Sequence, residues 1–143
     1  MDDLVQWLRA QLDEDERIAR AAGGAAWEEL PVSGWVHTSP LPSSEWQPPG
    51  YDHHVASAPV VEDRAHIVAN DPARVLREVD AKRKIIDQCT YWNERATSEA
   101  VDPPKFPQPG LDLGLLLDAM NPVLRLLAEP YADRPGYREE WRP

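Results

Sequence analysis

The chain has one cysteine, one phenylalanine and no long uninterrupted apolar run among its 143 residues. A single cysteine, Cys89, excludes an intramolecular disulfide and indicates a reducing compartment. The opening residues are acidic where a signal peptide is basic, so we expect a cytoplasmic protein. The most apolar stretch, LDLGLLLDAMNPVLRLLA, is interrupted by Asp118, Pro122 and Arg125. It predicts a core helix and not a membrane span, and no membrane association is expected.

Basic residues are also scarce, with 15 Lys and Arg against 25 Asp and Glu and a formal net charge of −10. The densest basic cluster, Lys82-Arg83-Lys84, is short and is matched by nearby acids. A phosphate backbone would be repelled, which argues against direct binding to nucleic acid and favours a basic protein partner. A mimic of nucleic acid is a further alternative, but it would carry regular rows of carboxylates, and here acids and bases alternate.

Proline, by contrast, is abundant at 15 residues, about twice its average usage. The prolines cluster in SPLPSSEWQPPG, residues 39–50, and in DPPKFPQPG, residues 102–110. These segments predict a loop and an extended linker. The length predicts a single domain over residues 1–143.

Three segments have the apolar spacing of amphipathic helices. The first should end at Gly23-Gly24, and Asn121-Pro122 should kink the third or split it in two. The three predicted helices are residues 2–22, 72–98 and 111–129.

The middle helix is the best specified part of the sequence. In HIVANDPARVLREVDAKRKIIDQC, residues 66–89, Pro72 fits the first helical position and Asp71 the N-cap before it. The expected apolar face contains Val75, Leu76, Val79, Ile86 and Cys89. The spacing also predicts the ion pairs Glu78–Lys82, Asp80–Lys84 and Arg83–Asp87.

Short strand candidates lie between the first two helices. AAWEEL and GWVHT are two of them, and HHVASAPVV and RAHIVA predict one or two more. The predicted fold is therefore α+β and mainly α, with three main helices packed with a small antiparallel β-hairpin or sheet, plus proline-rich loops. We expect the rings of Trp27, Trp35 and Trp92 to cap its core.

A metal ion is the one cofactor for which the residues provide candidates. His53 and His54 follow Asp52, and His37, Asp63 and His66 would converge with them if the strands pair. Adjacent strand residues point to opposite faces, so His53 and His54 serve one ion only if a loop turns there. A metal-dependent, hydrolase-like activity is accordingly an alternative function.

Other catalytic constellations are weaker. Cys89 lies at the apolar margin of the middle helix, where a thiol is usually buried and inert. Ser43 and Ser44 lie in a proline-rich loop without the elbow of a serine hydrolase. No catalytic residue is assigned, and an enzyme is not the favoured interpretation.

Aromatic residues near proline indicate an interaction role. Trp46 and Tyr51 flank the first proline cluster, and Tyr137 and Trp141 lie in the tail. Exposed rings of this kind anchor protein partners. We therefore expect a small non-catalytic accessory or regulatory protein that acts through a protein partner. Three amphipathic helices in a short chain also leave room for a homodimer.

Three segments carry a resemblance to a known family: DDLVQWLRAQLDEDERIARAA, HIVANDPARVLREVDAKRKIID and VLRLLAEPYADRPGYREEWRP. Together they cover a little under half of the chain. The sequence resembles a family of short actinobacterial and actinophage proteins known only as a domain of unknown function. Members often carry a second histidine just before the Asp-Pro, where this chain has Asn70. The resemblance implies a source and a shared fold but no mechanism.

Overall fold

The structure, a computed structural model, describes residues 2–30, 34–39, 54–97 and 113–143. Within these ranges the fold is α+β and mainly helical, as predicted. The described elements, in chain order, are α1 (Asp2–Ala21), β1 (Trp27–Leu30), β2 (Trp35–Thr38), β3 (His54–Ser57), α2 (Val61–Ala69), α3 (Pro72–Thr97) and α4 (Leu113–Ala128), followed by 3₁₀ turns at Glu129–Tyr131 and Glu139–Trp141.

The three strands form one antiparallel sheet in the order β1-β2-β3. Trp27 pairs with Thr38 and Leu30 with Trp35, which sets the register of the first two strands. An irregularity between Val36 and His37 shifts the register between β2 and β3. The predicted small antiparallel sheet is confirmed.

Helix α1 begins and ends where the sequence indicates. Asp2 and Asp3 lie in its first turn, where a negative charge favours the positive end of the helix dipole. Gly23 and Gly24 follow its last turn with φ of 93° and 66°, a left-handed conformation that suits glycine. Their amides donate to the carbonyls of Arg20 and Ala19.

Helix α3 begins at Pro72, and Asp71 is its N-cap, as predicted. Asp71 Oδ1 accepts the backbone N–H of Arg74 at 2.6 Å, and the backbone N–H of Trp27 lies 3.3 Å from Oδ2. The side chain of Asp71 is buried and its two bonds join the helix start to β1. The cap therefore stabilises both the helix and the packing of the sheet.

One of the three ion pairs predicted on α3 is confirmed: Lys84 binds Asp80 at 2.6 Å. The other two are wrong because their members meet other residues. Glu78 binds Arg74 one turn earlier, and Lys82 donates to the hydroxyl of Tyr131. Arg83 and Asp87, predicted to pair with each other, both bind residues of α1: Arg83 binds Asp13, and Asp87 binds Arg9.

The strand predicted from RAHIVA is wrong, because Val61–Ala69 is helix α2. Glu62 and Asp63 occupy its first turn, where negative charge is favourable. Arg64 is the buried residue of this helix, and Asn70 ends it. A short segment with an inward-facing arginine does not show the apolar helical period, which explains the wrong assignment.

Helix α4 runs without a break through Pro122, so the helix is not split in two, and the alternative of a kink at Asn121-Pro122 stays a prediction. Leu124 and Ala128 are fully buried on this helix. Within the part of the chain that the structure describes, no helix is long and apolar enough to cross a membrane.

The chain divides into two compact units, one formed by residues 1–13 and 80–143 and the other by residues 14–79. The buried apolar residues of the first unit include Leu4, Leu8, Leu12, Ile86, Cys89, Leu124 and Ala128. Those of the second unit include Ala19, Val36, Ala58 and Val79. A single domain over residues 1–143 stays a prediction. The predicted proline-rich segments fall, except for Ser39, outside the described residues.

Candidate functional site on the three-stranded sheet

The outer face of β2 brings a tryptophan and two histidines together. Successive residues of a strand point to opposite faces. Val36 is fully buried on the inner face, whereas Trp35 is 47% exposed. His37 shares the outer face with Trp35, and the sheet register places His54 of β3 opposite His37. We call Trp35, His37 and His54 the outer-face cluster.

The three rings of the outer-face cluster contact one another. The rings of Trp35 and His37 are stacked, with centroids 5.9 Å apart and planes inclined by 28°. His54 meets Trp35 edge-on at 5.2 Å and His37 edge-on at 5.8 Å. Each pair lies in the range of favourable aromatic geometries, worth about 0.5–1.5 kcal/mol beyond the area it buries.

The ring of His37 has an unusual environment. Its Nδ1 and Nε2 atoms are both buried, and neither has a hydrogen-bond partner among the described residues. A buried polar atom left without a partner costs about 1–3 kcal/mol. The neighbouring His54 differs, because its Nε2 lies 2.7 Å from the hydroxyl of Ser57. His37 thus has two ring nitrogens that are shielded from solvent and whose hydrogen-bonding capacity no described residue satisfies.

On the inner side of the sheet, Arg64 supports the strands that carry the outer-face cluster. The Arg64 residue is 6% exposed, and its Nε donates to Glu29 Oε1 at 2.6 Å. Nη1 donates to the carbonyl oxygens of Ala58 at 2.6 Å and Pro59 at 3.2 Å. One guanidinium therefore joins β1 to the segment between β3 and α2.

Gly34 fits closely beside this guanidinium. Its φ of 70° is left-handed, and a Cβ at this position would lie 3.3 Å from Arg64 Nη1. Its carbonyl accepts the backbone N–H of Ala58 at 3.4 Å. The residue that precedes Trp35 is thus bound to the segment that follows β3.

The other predicted metal ligands lie elsewhere. Asp63 and His66 are exposed on α2. Asn70 Nδ2 lies 3.4 Å from Nδ1 of His66 and donates to its carbonyl at 2.7 Å. Asp52 and His53 lie outside the described residues.

Of the six predicted candidates, His37 and His54 are the two that the structure places together. Among the residues the structure describes, no group of three His, Cys, Asp or Glu side chains is gathered closely enough to hold a metal ion.

The aromatic residues of the tail are buried or half-buried, contrary to the prediction that they are exposed. Trp141 is 7% exposed and Tyr137 is half-buried. Both contact Trp7 of α1, with ring centroids 5.3 Å and 5.6 Å from it. Trp7 also donates its indole N–H to the carbonyl of Pro135 at 3.1 Å. These rings pack against one another within their unit, because a large aromatic ring has much apolar surface to bury.

Trp46 and Tyr51 lie outside the described residues. Among the described residues, Trp35 is an exposed tryptophan that the sequence did not indicate, since we expected its ring to cap the core. The alternation in GWVHT carried the signal: Val36 takes the buried face, so its neighbours must point outward. Trp27 and Trp92 are half-buried, in agreement with the prediction.

A cavity of about 310 Å³ lies within the unit of residues 14–79. Its walls are mostly apolar and come from α1, β1 and the start of α3. The lining residues are Asp15, Ile18, Ala19, Ala22, Trp27, Asn70, Pro72 and Val75. Small-molecule sites begin at about this volume, so the cavity is at the lower limit for a ligand pocket.

Cys89 is buried, as predicted. Burial raises the pKa of its thiol, because the thiolate is disfavoured away from water. A raised pKa lowers the thiolate fraction and with it the reactivity, so Cys89 is not suited to nucleophilic catalysis.

Residues 1–143 match the profile of DUF6221, described as a family of unknown function. No curated protein and no solved structure matches the sequence.

Proposed function

We propose that the protein, which belongs to this family of unknown function, is a small non-catalytic accessory protein that binds a protein partner through the outer-face cluster. The observation that carries the proposal is the 47% exposure of Trp35. Tryptophan is the residue type most enriched among the side chains that dominate interface energies. Trp35 therefore takes the anchor role that the sequence had suggested for Trp141.

Further exposed apolar residues lie in the segment that is hydrogen-bonded to the residue before Trp35. Val60 and Val61 are 47% and 57% exposed. They follow Ala58 within three residues, and Ala58 is hydrogen-bonded to Gly34, the neighbour of Trp35. An interface core is typically an aromatic anchor with apolar side chains around it and a polar rim.

Charge supports a basic partner. The formal net charge of −10 attracts positively charged proteins and accelerates their encounter. We also propose that the protein comes from an actinobacterium or an actinophage, the source that the sequence resemblance suggests. The partner would then be a basic protein of the same cytoplasm.

The alternative of a nucleic-acid mimic has less support. A mimic needs rows of carboxylates that are not neutralised by the protein itself. In α1, Glu14 binds Arg17 and Glu16 binds Arg20, so arginines neutralise part of the acidic run at residues 13–16.

Partner capture with matched variants tests the proposal. Immobilised wild-type protein, Trp35→Ala and Tyr91→Ala are compared for retention of proteins from an actinobacterial lysate. Tyr91 is a suitable control because its side chain is 49% exposed and lies in the other unit. We expect a protein retained by the wild type and by Tyr91→Ala, with binding to Trp35→Ala weaker by about 30-fold or more, the effect of losing an interface anchor.

Equal retention by Trp35→Ala and the wild type would refute the role of the outer-face cluster. Circular dichroism of Trp35→Ala serves as the folding control. Because Trp35 is half exposed, we expect its removal to leave the helical signal unchanged.

A further inference from the structure

An exposed apolar stripe runs along helix α4. Its members recur at the spacing that places residues on one face of a helix. They are Ala119, Pro122, Val123 and Leu126, and we call them the α4 stripe. All of them are exposed, Val123 to 38% and Leu126 to 56%. The buried residues Leu124 and Ala128 lie on the opposite face of the helix, so the α4 stripe faces away from the core of its unit.

Two opposite charges flank the α4 stripe on the same side. Asp118 and Arg125 are seven residues apart, so they lie almost on one line along the helix. Asp118 is exposed, and among the residues that the structure describes neither side chain has an ion-pair partner. Arg125 Nη1 donates to the carbonyl of Arg142 at 3.4 Å, which uses one of the several donors of the guanidinium. A flank with one acid and one base is complementary to its own reverse.

A second copy of the chain presents this reversed flank. In a two-fold symmetric pair of antiparallel helices, the same flank of both helices meets, running in opposite directions. Packing about the middle of the α4 stripe places Pro122 beside Val123 of the second copy. Along the helix axis, Asp118 then lies within about 3 Å of the level of Arg125 of the second copy. The long arginine side chain spans this offset, and symmetry repeats the contact at the other end of the stripe.

We propose that the α4 stripe binds the α4 stripe of a second copy of this chain, in an antiparallel pair with two Asp118–Arg125 contacts. Pro122 has no N–H, so the carbonyl of Asp118 lacks the donor that a helix supplies four residues later. In the pair, the guanidinium of Arg125 donates to this carbonyl as well as to the carboxylate. Helix α4 and Trp35 belong to different units, so this surface is separate from the outer-face cluster of the proposed function.

The size of the contact and the net charge predict a weak dimer. Helix α4 has 16 residues and is about 24 Å long. A contact along one such helix buries less than the about 800 Å² per partner of a standard interface. The net charge of −10 on each copy adds long-range repulsion, which salt at about 0.15 M screens beyond about 8 Å. We therefore expect a Kd of about 100 μM at that ionic strength.

Sedimentation equilibrium of the purified full chain, from about 10 μM to about 1 mM, tests this interface. We expect a reversible monomer–dimer equilibrium for the wild type. Leu126→Ser should weaken the dimer by about 10-fold or more, because each dimer loses two apolar side chains from the contact. Ile85→Ser is the matched control, since Ile85 is 40% exposed on α3 and lies outside the stripe. A wild type that stays monomeric throughout, or an equal loss in both variants, would overturn the proposal.

Charge reversal tests the antiparallel arrangement. Asp118→Arg leaves two positive charges on the flank and Arg125→Asp leaves two negative charges, so each variant should dimerise about 10-fold more weakly than the wild type. An equal mixture of the two variants should regain the wild-type affinity, because each positive flank then faces a negative one. Such recovery also shows that both variants fold. A mixture that associates no better than its components would refute the antiparallel pair. No other protein is present, so this failure is separate from failure of the capture experiment.

Discussion

Replacement of Arg64 by methionine should destabilise the protein by about 3 kcal/mol. Methionine keeps the apolar stem and removes the donors to Glu29, Ala58 and Pro59. Breaking a buried ion pair by removing one partner costs about 3–5 kcal/mol. Glu29 keeps 28% side-chain exposure and regains some hydration, which favours the lower end of that range.

Urea denaturation followed by circular dichroism measures this loss. Arg20→Met is the matched control, because Arg20 binds Glu16 at 2.6 Å with a side chain that is 67% exposed. Exposed pairs of this spacing contribute about 0.5 kcal/mol or less. A loss in Arg64→Met no larger than in Arg20→Met would show that the buried contacts of Arg64 stabilise the fold no more than an exposed ion pair does.

A double variant separates the ion pair from the carbonyl contacts. Adding Glu29→Met to Arg64→Met removes the unpaired carboxylate, and part of the lost stability should return. The carbonyls of Ala58 and Pro59 would still lack their donor, so full recovery is not expected. A double variant less stable than Arg64→Met would contradict this account.

Substitutions at three further positions test other features. Asp71→Ala removes the cap of α3 and should cost about 1–2 kcal/mol in urea denaturation, whereas Asp71→Asn, which keeps an acceptor, should cost less. Gly136→Ala should lower the melting temperature, because φ is 86° and the new Cβ would lie 3.0 Å from Trp7 Nε1; an unchanged melting temperature would contradict the close approach. Burial raises the pKa of Cys89, so the folded state holds its proton where the unfolded state has lost it, and stability should fall as the pH rises through about 8.5. Cys89→Ala should flatten that alkaline slope, and an identical slope would argue against the raised pKa.

Local signals made helices α1, α3 and α4 and the first two strands predictable. The start of α3 at Asp71-Pro72 and the end of α1 at Gly23-Gly24 are determined by these residues themselves. Both boundaries can therefore be predicted from the local sequence. The position of Arg64 has no such local cause. Its burial depends on the carboxylate of Glu29, 35 residues away along the chain. A charged residue in a nine-residue segment therefore hid the helical period of α2.

The candidate site was predictable only in part. Strand pairing was expected to bring histidines together, and His37 and His54 do meet. Which histidines would meet depends on the register, and the irregularity between Val36 and His37 sets it. The reversed roles of Trp35 and Trp141 have a similar origin. A ring is exposed or buried according to the element that covers it, and for Trp141 that element is α1.

The aromatic contacts around Trp7 can form only late in the synthesis of the chain. The carbonyl that accepts the Trp7 indole N–H lies 128 residues further along. On the ribosome, α1 is synthesised long before Tyr137 and Trp141, and closing so long a loop is entropically costly. A nascent chain therefore carries an uncovered indole until its tail emerges. Copies truncated before Tyr131 would keep Trp7 uncovered, an apolar feature by which chaperones and proteases recognise unfinished proteins.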